Sequence, residues 1–214
     1  MIHNCNTCEF NKKAIHTLTD KSFEELNSNH AAVKFAKGDA IIKQGTFSTN
    51  VAFLRSGLVK LHLQGPHYEQ IVRLVKAPSY LGLPTTFGDK INQYSVTAVA
   101  DCDVCFIDIN IFKKLIKENE DFAYEIILDL CKNELESFRR CANRTQKQNR
   151  GNIATFLLEL TNDIFESDEF VLPLSQSEIG NLVDTTRESV SRIFTEFDSD
   201  NLILLKGKNI KNTK

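Results

Sequence analysis

The sequence predicts an α+β protein with a β-rich region, then one long helix, then a compact helical region flanked by short strands. Three observations carry this prediction. Short apolar segments separated by glycines run from about residue 30 to residue 108, apolar residues recur at spacings of four and three from residue 124, and two short amphipathic helices lie between residues 175 and 197. With 214 residues, 42% of them hydrophobic, the chain can form two small domains or one larger one.

The bulk composition argues against several classes of protein. A formal charge of −2 means that any nucleic-acid binding would have to use local basic patches. No apolar run approaches the roughly 20 residues that cross a bilayer, and no apolar stretch typical of a signal peptide follows Met1. Six cysteines without an export signal favour a reducing compartment, so we expect a cytoplasmic protein with no membrane association. No nucleophile–base–acid set stands out, and we expect no enzymatic activity.

The region from residue 30 to residue 108 has the pattern of a β sandwich or barrel. Its apolar runs are short and roughly evenly spaced, with glycine punctuation at Gly38, Gly45, Gly57 and Gly65. A short helix at residues 20–29 precedes this region. We predict strands at residues 33–35, 41–42, 51–55, 58–63, 71–75, 95–100 and 104–108, followed by an amphipathic helix at residues 110–117.

A long helix from about residue 121 to residue 148 carries a seam of heptad type. The recurring residues are Tyr124, Leu128, Cys131, Leu135, Phe138, Ala142 and Thr145. A twin helix from a second copy is the economical partner for a seam of this length. The alternative is one helix packed on its own domain, and we expect Ala123, Ile127 and Leu130 to face the β-rich region.

Residues 175–197 contain two capped helices joined by a tight turn. Ser175 with Glu178 three residues later predicts a capping box at the first helix, and Thr185 with Glu188 predicts a second one. Asp184 marks the break between the helices. In the second helix one apolar stripe follows the helical period, at Val190, Ile193, Phe194 and Phe197.

The opposite face of the second helix is suited to DNA. It carries Arg187, Glu188, Ser191 and Arg192. A helix of this kind fits the major groove, where arginine can donate a fork of hydrogen bonds to guanine and a carboxylate can accept one from cytosine. The alternative is an ordinary helical hairpin with a solvated charged face.

The flanking segments favour a winged helix-turn-helix. A strand predicted at residues 171–174 precedes the two helices, and a hairpin at residues 202–210 follows them, with Lys206 and Lys208 in its turn. These lysines could meet phosphates, although a solvated tail is the alternative for any one of them. The further candidate DNA contacts lie at the helix starts and are Ser175, Gln176, Thr185 and Thr186.

The segment Thr186-Arg187-Glu188-Ser189-Val190-Ser191-Arg192 resembles the recognition helix of the Crp–Fnr superfamily of bacterial transcription regulators. The order of Lys37-Gly38-Asp39, Gln44-Gly45 and Arg55-Ser56-Gly57-Leu58-Val59-Lys60 resembles the cyclic-nucleotide-binding-like β-roll, a jelly roll, of the same superfamily. The resemblance implies an N-terminal arm at residues 1–20, a β-roll sensor at 21–110, a connector and dimerisation helix at 111–148, and a winged helix-turn-helix at 149–214.

The function implied by the resemblance is sequence-specific DNA binding. A homodimer would place two recognition helices in successive major grooves of a palindromic operator, about 34 Å apart. Glu188 and Arg192 would read a TGA-like core, Ser191 would tune the adjacent base, and RNA polymerase would be a further partner. The alternative is an effector-binding signalling module whose helix-turn-helix is vestigial.

The sequence also bears on the effector to which such a regulator would respond. Relatives that bind cyclic AMP carry a glutamate and an arginine where this sequence has Leu83 and Tyr94, so we expect no cyclic-AMP response. Cysteine pairs at Cys5 and Cys8 and at Cys102 and Cys105 could hold an iron–sulfur cluster or, less favoured, zinc. Oxygen-sensing relatives resemble this arrangement at the N-terminal pair and at Cys105.

The cysteine pattern also departs from that of the oxygen sensors. Their third N-terminal cysteine is missing here, and Cys102 could replace it only if residues 101–103 form a turn or bulge, because residues three apart in a straight strand point to opposite faces. A redox change, oxygen or nitric oxide is the favoured signal. The alternatives to a bound cluster are thiol redox sensing, a small-molecule ligand inside the β-roll, and no effector.

Overall fold

The computed structural model describes residues 14–88 and 90–213. The chain forms two compact units. Among the described residues, the first unit contains those up to Gln64 together with Val72–Glu136, and the second contains Gly65–Ile71 and those from Ser137 onward. No helix in these described ranges is both long enough and apolar enough to cross a membrane. The Cys5–Cys8 pair lies outside the described residues.

Two antiparallel four-stranded sheets form the β-rich region, as the short glycine-punctuated runs predict. One sheet has the order β1-β8-β3-β6 and the other the order β2-β7-β4-β5. The strands are β1 (His30–Phe35), β2 (Ala40–Ile42), β3 (Asn50–Ser56), β4 (Leu58–Gln64), β5 (Glu69–Lys76), β6 (Ser79–Leu81), β7 (Ser95–Ala98) and β8 (Cys102–Asp108).

Strand β8 is the central element of the first sheet because it pairs with β1 on one side and β3 on the other. Its side chains alternate between two core clusters, as the two-residue period of a strand requires. Cys105 and Ile107 belong to a cluster with Phe53 and Phe112, whereas Cys102 and Val104 belong to a second one. The first cluster holds a chain of edge-to-face rings, with Phe112 centred 5.8 Å from Tyr80 and 5.6 Å from Phe122.

One strand and one helix of this unit were not predicted. They are β6 and α2 (Leu83–Phe87). Gly82 caps the helix with a φ of 82°, a left-handed conformation that glycine adopts without strain. Buried polar side chains surround α2, and Thr85 Oγ1 donates to Gly82 O at 2.9 Å.

The helices of the first unit are α1 (Asp20–Ser28), α2, α3 (Ile109–Glu118) and most of α4 (Glu120–Gln146), which continues past Glu136. Helices α1, α3 and α4 agree closely with the predicted segments. The inward face of α4 is predicted only in part. Leu130 packs against the first core cluster as expected, but Phe122 and Ile126 are the buried residues while Ile127 is 54% exposed. The prediction that Ile127 faces the β-rich region is therefore wrong.

The predicted heptad seam lies on the exposed side of α4. Tyr124, Leu135 and Phe138 are each about 60% exposed, at 61%, 60% and 60%, and Cys131 is also exposed. Large apolar side chains at this exposure leave a continuous apolar stripe in water.

The second unit is built from α5 (Asn149–Glu159), a π-helical turn (Leu160–Ile164), β9 (Glu169–Val171), α6 (Gln176–Val183), α7 (Arg187–Ser199), β10 (Ile203–Lys206) and β11 (Asn209–Asn212). Its three-stranded sheet has the order β10-β11-β9. Strand β9 starts and ends earlier than the predicted segment 171–174. Pro173 has no N–H to donate, and the ladder stops before it.

Candidate nucleic-acid interface

Helix α6 begins with the predicted capping box. Ser175 Oγ accepts a hydrogen bond from Glu178 N at 3.2 Å, and Glu178 Oε2 accepts one from Ser175 N at 2.9 Å. The Ser175 hydroxyl also donates to Glu178 Oε2 at 2.8 Å. This hydroxyl therefore serves the helix start, and its contact with DNA stays a prediction, as does that of the neighbouring, partly buried Gln176.

The turn between α6 and α7 depends on two residues. Asp184 ends α6 in the left-handed conformation, with φ 59° and ψ 53°, and Thr185 N donates to Gly180 O at 3.0 Å. A Cβ on Gly180 would lie 2.6 Å from Thr185 O, closer than real Cβ contacts. Glycine at this position lets the chain fold back tightly onto α6.

Helix α7 is capped one residue later than predicted. Thr186 Oγ1 accepts from Ser189 N at 3.2 Å, whereas Thr185 Oγ1 lies 2.7 Å from Asn149 Nδ2. The box predicted between Thr185 and Glu188 is therefore wrong, and Glu188 is the second residue of the helix. Its carboxylate remains at the positive end of the helix dipole.

The two faces of α7 separate as the sequence predicts. Val190, Ile193, Phe194 and Phe197 are buried. The four residues of the opposite set, which are Arg187, Glu188, Ser191 and Arg192, are all exposed. A helix held by one apolar face and presenting arginine, carboxylate and hydroxyl groups on the other can make base-edge and phosphate contacts in a major groove.

A cluster of charged groups links α5 to α7 and was not predicted. Arg150 donates from Nη1 to Glu196 Oε2 at 2.8 Å and from Nη2 to Asp200 Oδ2 at 2.7 Å, and its guanidinium lies 4.9 Å from the centre of the Phe197 ring. Hydrogen bonds to Asp200 and Glu196 raise the pKa of Arg150. The sequence signal for part of this cluster was the position of Glu196 four residues after Arg192, a spacing that favours an ion pair on one helix.

Three more side chains that the sequence analysis did not single out as contacts hold α6 and its turn. Arg144 Nη2 donates to Leu182 O at 2.9 Å, near the carbonyl end of α6. Within the segment Gly65–Ile71, Tyr68 Oη donates to Asp184 Oδ1 at 2.8 Å and the Gln70 side chain donates to Asn181 O. The hydrogen bond to Asp184 raises the pKa of Tyr68. No local sequence pattern marks these long-range partners.

The hairpin after α7 forms as predicted. Gly207 has a φ of 64° in the turn between β10 and β11, and Lys206 and Lys208 are both exposed beside it. Lys211 instead faces Glu169, with Nζ 3.7 Å from Oε2. Lys206 and Lys208 remain the candidates for phosphate contacts from the wing.

The cysteines of β8 do not share a site. Both are buried, but Cys102 and Cys105 belong to different core clusters of one continuous strand, so the turn needed for joint ligation is absent. Cys102 Sγ lies 3.1 Å from Ala100 O and 3.4 Å from Leu58 O, and burial raises the pKa of its thiol. Cys102 is therefore a poor replacement for a missing thiolate ligand. No group of three or more metal-ligating side chains occurs among residues 14–88 and 90–213.

Tyr94, where the family resemblance would place the arginine of cyclic-AMP-binding relatives, is a partly buried phenol. Its Oη accepts a hydrogen bond from Gly82 N at 3.1 Å, at the start of α2. A tyrosine phenol is already neutral at physiological pH, and burial raises the pKa of Tyr94 further. A neutral phenol cannot supply the positive charge that pairs with a cyclic phosphate.

Family models match both units of this architecture. Residues 32–119 match a cyclic nucleotide-binding domain, and residues 152–213 match a Crp-like helix-turn-helix domain. Two solved structures share the fold with a TM-score of 0.78 each. They are the c-di-GMP-responsive global regulator CLP of Xanthomonas campestris, at 16% identity over 92% of this chain and 100% of that one, and FixK2 of Bradyrhizobium japonicum, at 18% over 86% and 93%.

Characterised relatives are similar over most of the chain. Electron transport regulator A of Shewanella oneidensis is 28% identical over 96% of this chain and 85% of its own length. The transcriptional activator FnrA of Stutzerimonas stutzeri is 27% identical over 82% and 73%. The cAMP-activated regulator CRP of Escherichia coli is 24% identical over 90% and 94%. These relatives are regulators rather than enzymes, and together with the two domain matches they show that the chain belongs to the Crp–Fnr family of DNA-binding transcription regulators.

Proposed function

We propose that this regulator binds an inverted-repeat DNA site with a TGA-like half-site core as a homodimer. The observation that carries the proposal is the exposed face of α7, where Arg187, Glu188, Ser191 and Arg192 lie together on a helix whose other face is buried. Arginine paired with guanine and glutamate paired with cytosine give the discrimination that such a site needs. Lys206 and Lys208 on the wing, with Thr185 and Thr186 at the start of α7, would hold the backbone.

The exposed seam of α4 supports the dimer. Its residues Tyr124, Leu128, Cys131, Leu135, Phe138 and Ala142 form a stripe with the 3.5-residue period that two parallel helices can share. Pairing this stripe with a second copy would remove several large apolar side chains from water. A dimer would also present two copies of α7 to two half-sites, so the DNA site would be palindromic.

The proposal predicts strong, salt-sensitive binding to an inverted repeat. A gel-shift series would compare a repeat of two TGA-like half-sites, one half-site alone and a scrambled duplex at several salt concentrations. We expect the repeat to bind at least about 10³-fold more tightly than scrambled DNA, with affinity falling steeply as salt rises. Equal binding to all three duplexes would instead support a signalling module with a vestigial helix-turn-helix.

We further propose that the signal is a redox change, oxygen or nitric oxide, received by cysteines in the N-terminal part of the chain. Cys105 is buried in one cluster with Ala14 and Ile15. Cys8 precedes Ala14 by only six residues, which span at most about 20 Å. Cys5, Cys8 and Cys105 are therefore the candidate thiolates for an iron–sulfur cluster, one fewer than the four such clusters usually take. A bound cluster would supply an oxygen-labile group, and zinc is the less favoured occupant.

Metal content tests this signal. Protein purified without oxygen is expected to contain iron and sulfide and to show a broad visible absorbance that bleaches in air, because thiolate-bound iron–sulfur clusters are coloured and oxygen-sensitive. Cys105→Ser should lose iron and colour, whereas Cys141→Ser, a control at an exposed thiol on α4, should keep both. Zinc without colour would indicate a structural site. Metal-free protein that still binds its repeat would redirect attention to a small-molecule ligand of the β-roll.

The cellular setting follows from the same function. A DNA-binding regulator of this family meets its operator in the cytoplasm, and we propose that this protein is located there. We also propose RNA polymerase as a partner. The proposed signal would change occupancy of the operator and thereby transcription.

A further inference from the structure

We propose that Glu196 positions Arg192 for base recognition and so sets the ratio of specific to non-specific DNA binding. This inference rests on the proposed function, because it assigns a role to a residue beside the recognition arginine. Glu196 itself lies outside the set predicted to touch DNA. It acts through Arg192 and is a positioning residue.

Glu196 lies between two arginines and contacts one with each carboxylate oxygen. Its Oε2 accepts from Arg150 Nη1 at 2.8 Å, while its Oε1 lies 3.6 Å from Arg192 Nη1. The first contact is a short, charge-assisted hydrogen bond and the second is a looser ion pair. The carboxylate is thus anchored on one side and leaves its other oxygen for Arg192.

Arg150, which anchors the Glu196 carboxylate, itself contacts three side chains. Arg150 bonds to Asp200 as well as to Glu196, and its guanidinium lies over the Phe197 ring. Phe197 is buried in the core of the second unit, which fixes the ring that Arg150 stacks on. Because Arg150 is fixed in this way, the Glu196 carboxylate has a defined position on the surface of α7.

Arg192 has a second acidic neighbour that it does not use. Glu188 is four residues before Arg192, in the orientation that favours an ion pair in isolated helices. In the described part of the chain, however, the ion pair of Arg192 is with Glu196. The choice of Glu196 leaves the Glu188 carboxylate available to accept a hydrogen bond from a base.

A loose restraint has two consequences for DNA recognition. The Arg192 side chain is 71% exposed, so without a partner it would sample many rotamers and could settle on any phosphate. The ion pair with Glu196 restricts the rotamers of Arg192. At 3.6 Å it is weak enough to be replaced by hydrogen bonds to a guanine, which offers two acceptors at once. The negative charge of Glu196 also repels DNA phosphates, and only in the specific complex do base contacts offset this repulsion. Both effects lower non-specific binding more than specific binding.

Two matched substitutions separate this role from a general effect of charge. Glu196→Gln removes the charge that faces Arg192. Asp200→Asn removes an equal charge that contacts Arg150 but not Arg192, and it keeps an amide oxygen that can still accept the hydrogen bond from Arg150. The full chain would be titrated with the inverted repeat and with scrambled DNA at one fixed salt concentration. We expect the ratio of the two affinities to fall about three- to tenfold in Glu196→Gln and to stay within about twofold of wild type in Asp200→Asn.

A third variant and a folding measurement complete the test. Glu196→Asp keeps the charge but draws the carboxylate away from Arg192, and it should also lower the ratio while leaving the salt dependence unchanged. Thermal unfolding midpoints would show that the three variants fold. An unchanged ratio in Glu196→Gln, or an equal fall in Asp200→Asn, would overturn the positioning role. If wild-type protein does not distinguish the repeat from scrambled DNA, the proposed function itself fails.

Discussion

Arg192→Ala is expected to abolish the preference of the protein for its inverted repeat. The guanidinium of Arg192 is exposed on the face of α7 proposed to meet DNA, and the fork of donors it carries matches the two major-groove acceptors of guanine. Losing one such contact costs about 1–3 kcal/mol per half-site. A dimer loses it twice, so the specific complex should weaken by roughly one to four orders of magnitude.

The control for this experiment is a lysine on the wing. Lys208 is exposed in the turn before β11 and is a candidate phosphate contact. Lys208→Ala should weaken binding to the repeat and to scrambled DNA alike and reduce the salt dependence slightly, because phosphate contacts carry no sequence information. If Arg192→Ala still prefers the repeat over scrambled DNA in gel shifts, Arg192 does not read a base.

Leu135→Glu is expected to separate the proposed homodimer into monomers. Leu135 lies in the middle of the exposed seam of α4, where a second copy would bury it from both chains. Removing two buried leucines costs about 1.5–3 kcal/mol each, and burying two carboxylates adds to that cost. The dissociation constant of the dimer should rise at least about a hundredfold.

Sedimentation velocity across a concentration series would measure this change. Leu158, a leucine on α5 outside the seam, is 49% exposed and offers a matched control. Leu158→Glu should leave the dimer intact, and its binding to the inverted repeat should be unaffected. A Leu135→Glu protein that remains dimeric would mean that the seam is not the dimer contact.

The helix-turn-helix could be predicted closely from the sequence because its signals are local. The Ser175–Glu178 box, the break at Asp184 and the buried stripe of α7 each depend on residues within a few positions of one another. Capping and periodicity are properties of single helices, and the structure forms the α6 box and the α7 stripe where the pattern places them. The exposed set of α7 followed directly from the buried one.

Features that depend on distant parts of the chain were predicted less well. Thr185 and Thr186 are equally good caps in sequence, and the side chain of Thr185 instead bonds to Asn149, 36 residues away. On α4, two adjacent stripes are nearly equally apolar, and packing buried Ile126 while leaving Ile127 exposed. Which of two adjacent residues faces inward is decided by the core against which the helix packs, and a local sequence pattern contains no information about that core.

The short elements around Gly82 escaped prediction for a related reason. Strand β6 has three residues and α2 has five, which is too short for either period to be recognised. The opposite orientations of Cys102 and Cys105 on β8, by contrast, followed from strand geometry alone. Residues three apart point to opposite faces, and Cys102 and Cys105 do so in the structure.

The small sheet of the second unit depends on β11 (Asn209–Asn212), its middle strand. Strand β11 lies between β10 and β9, so it is hydrogen-bonded on both edges, and its Ile210 is almost completely buried. Asn212 N also donates to Asp168 O at 2.7 Å. A premature stop codon after residue 208 would therefore remove the middle of a sheet rather than a tail, and would leave two unpaired strand edges beside the helix-turn-helix. Such a truncation would be expected to act as a null allele.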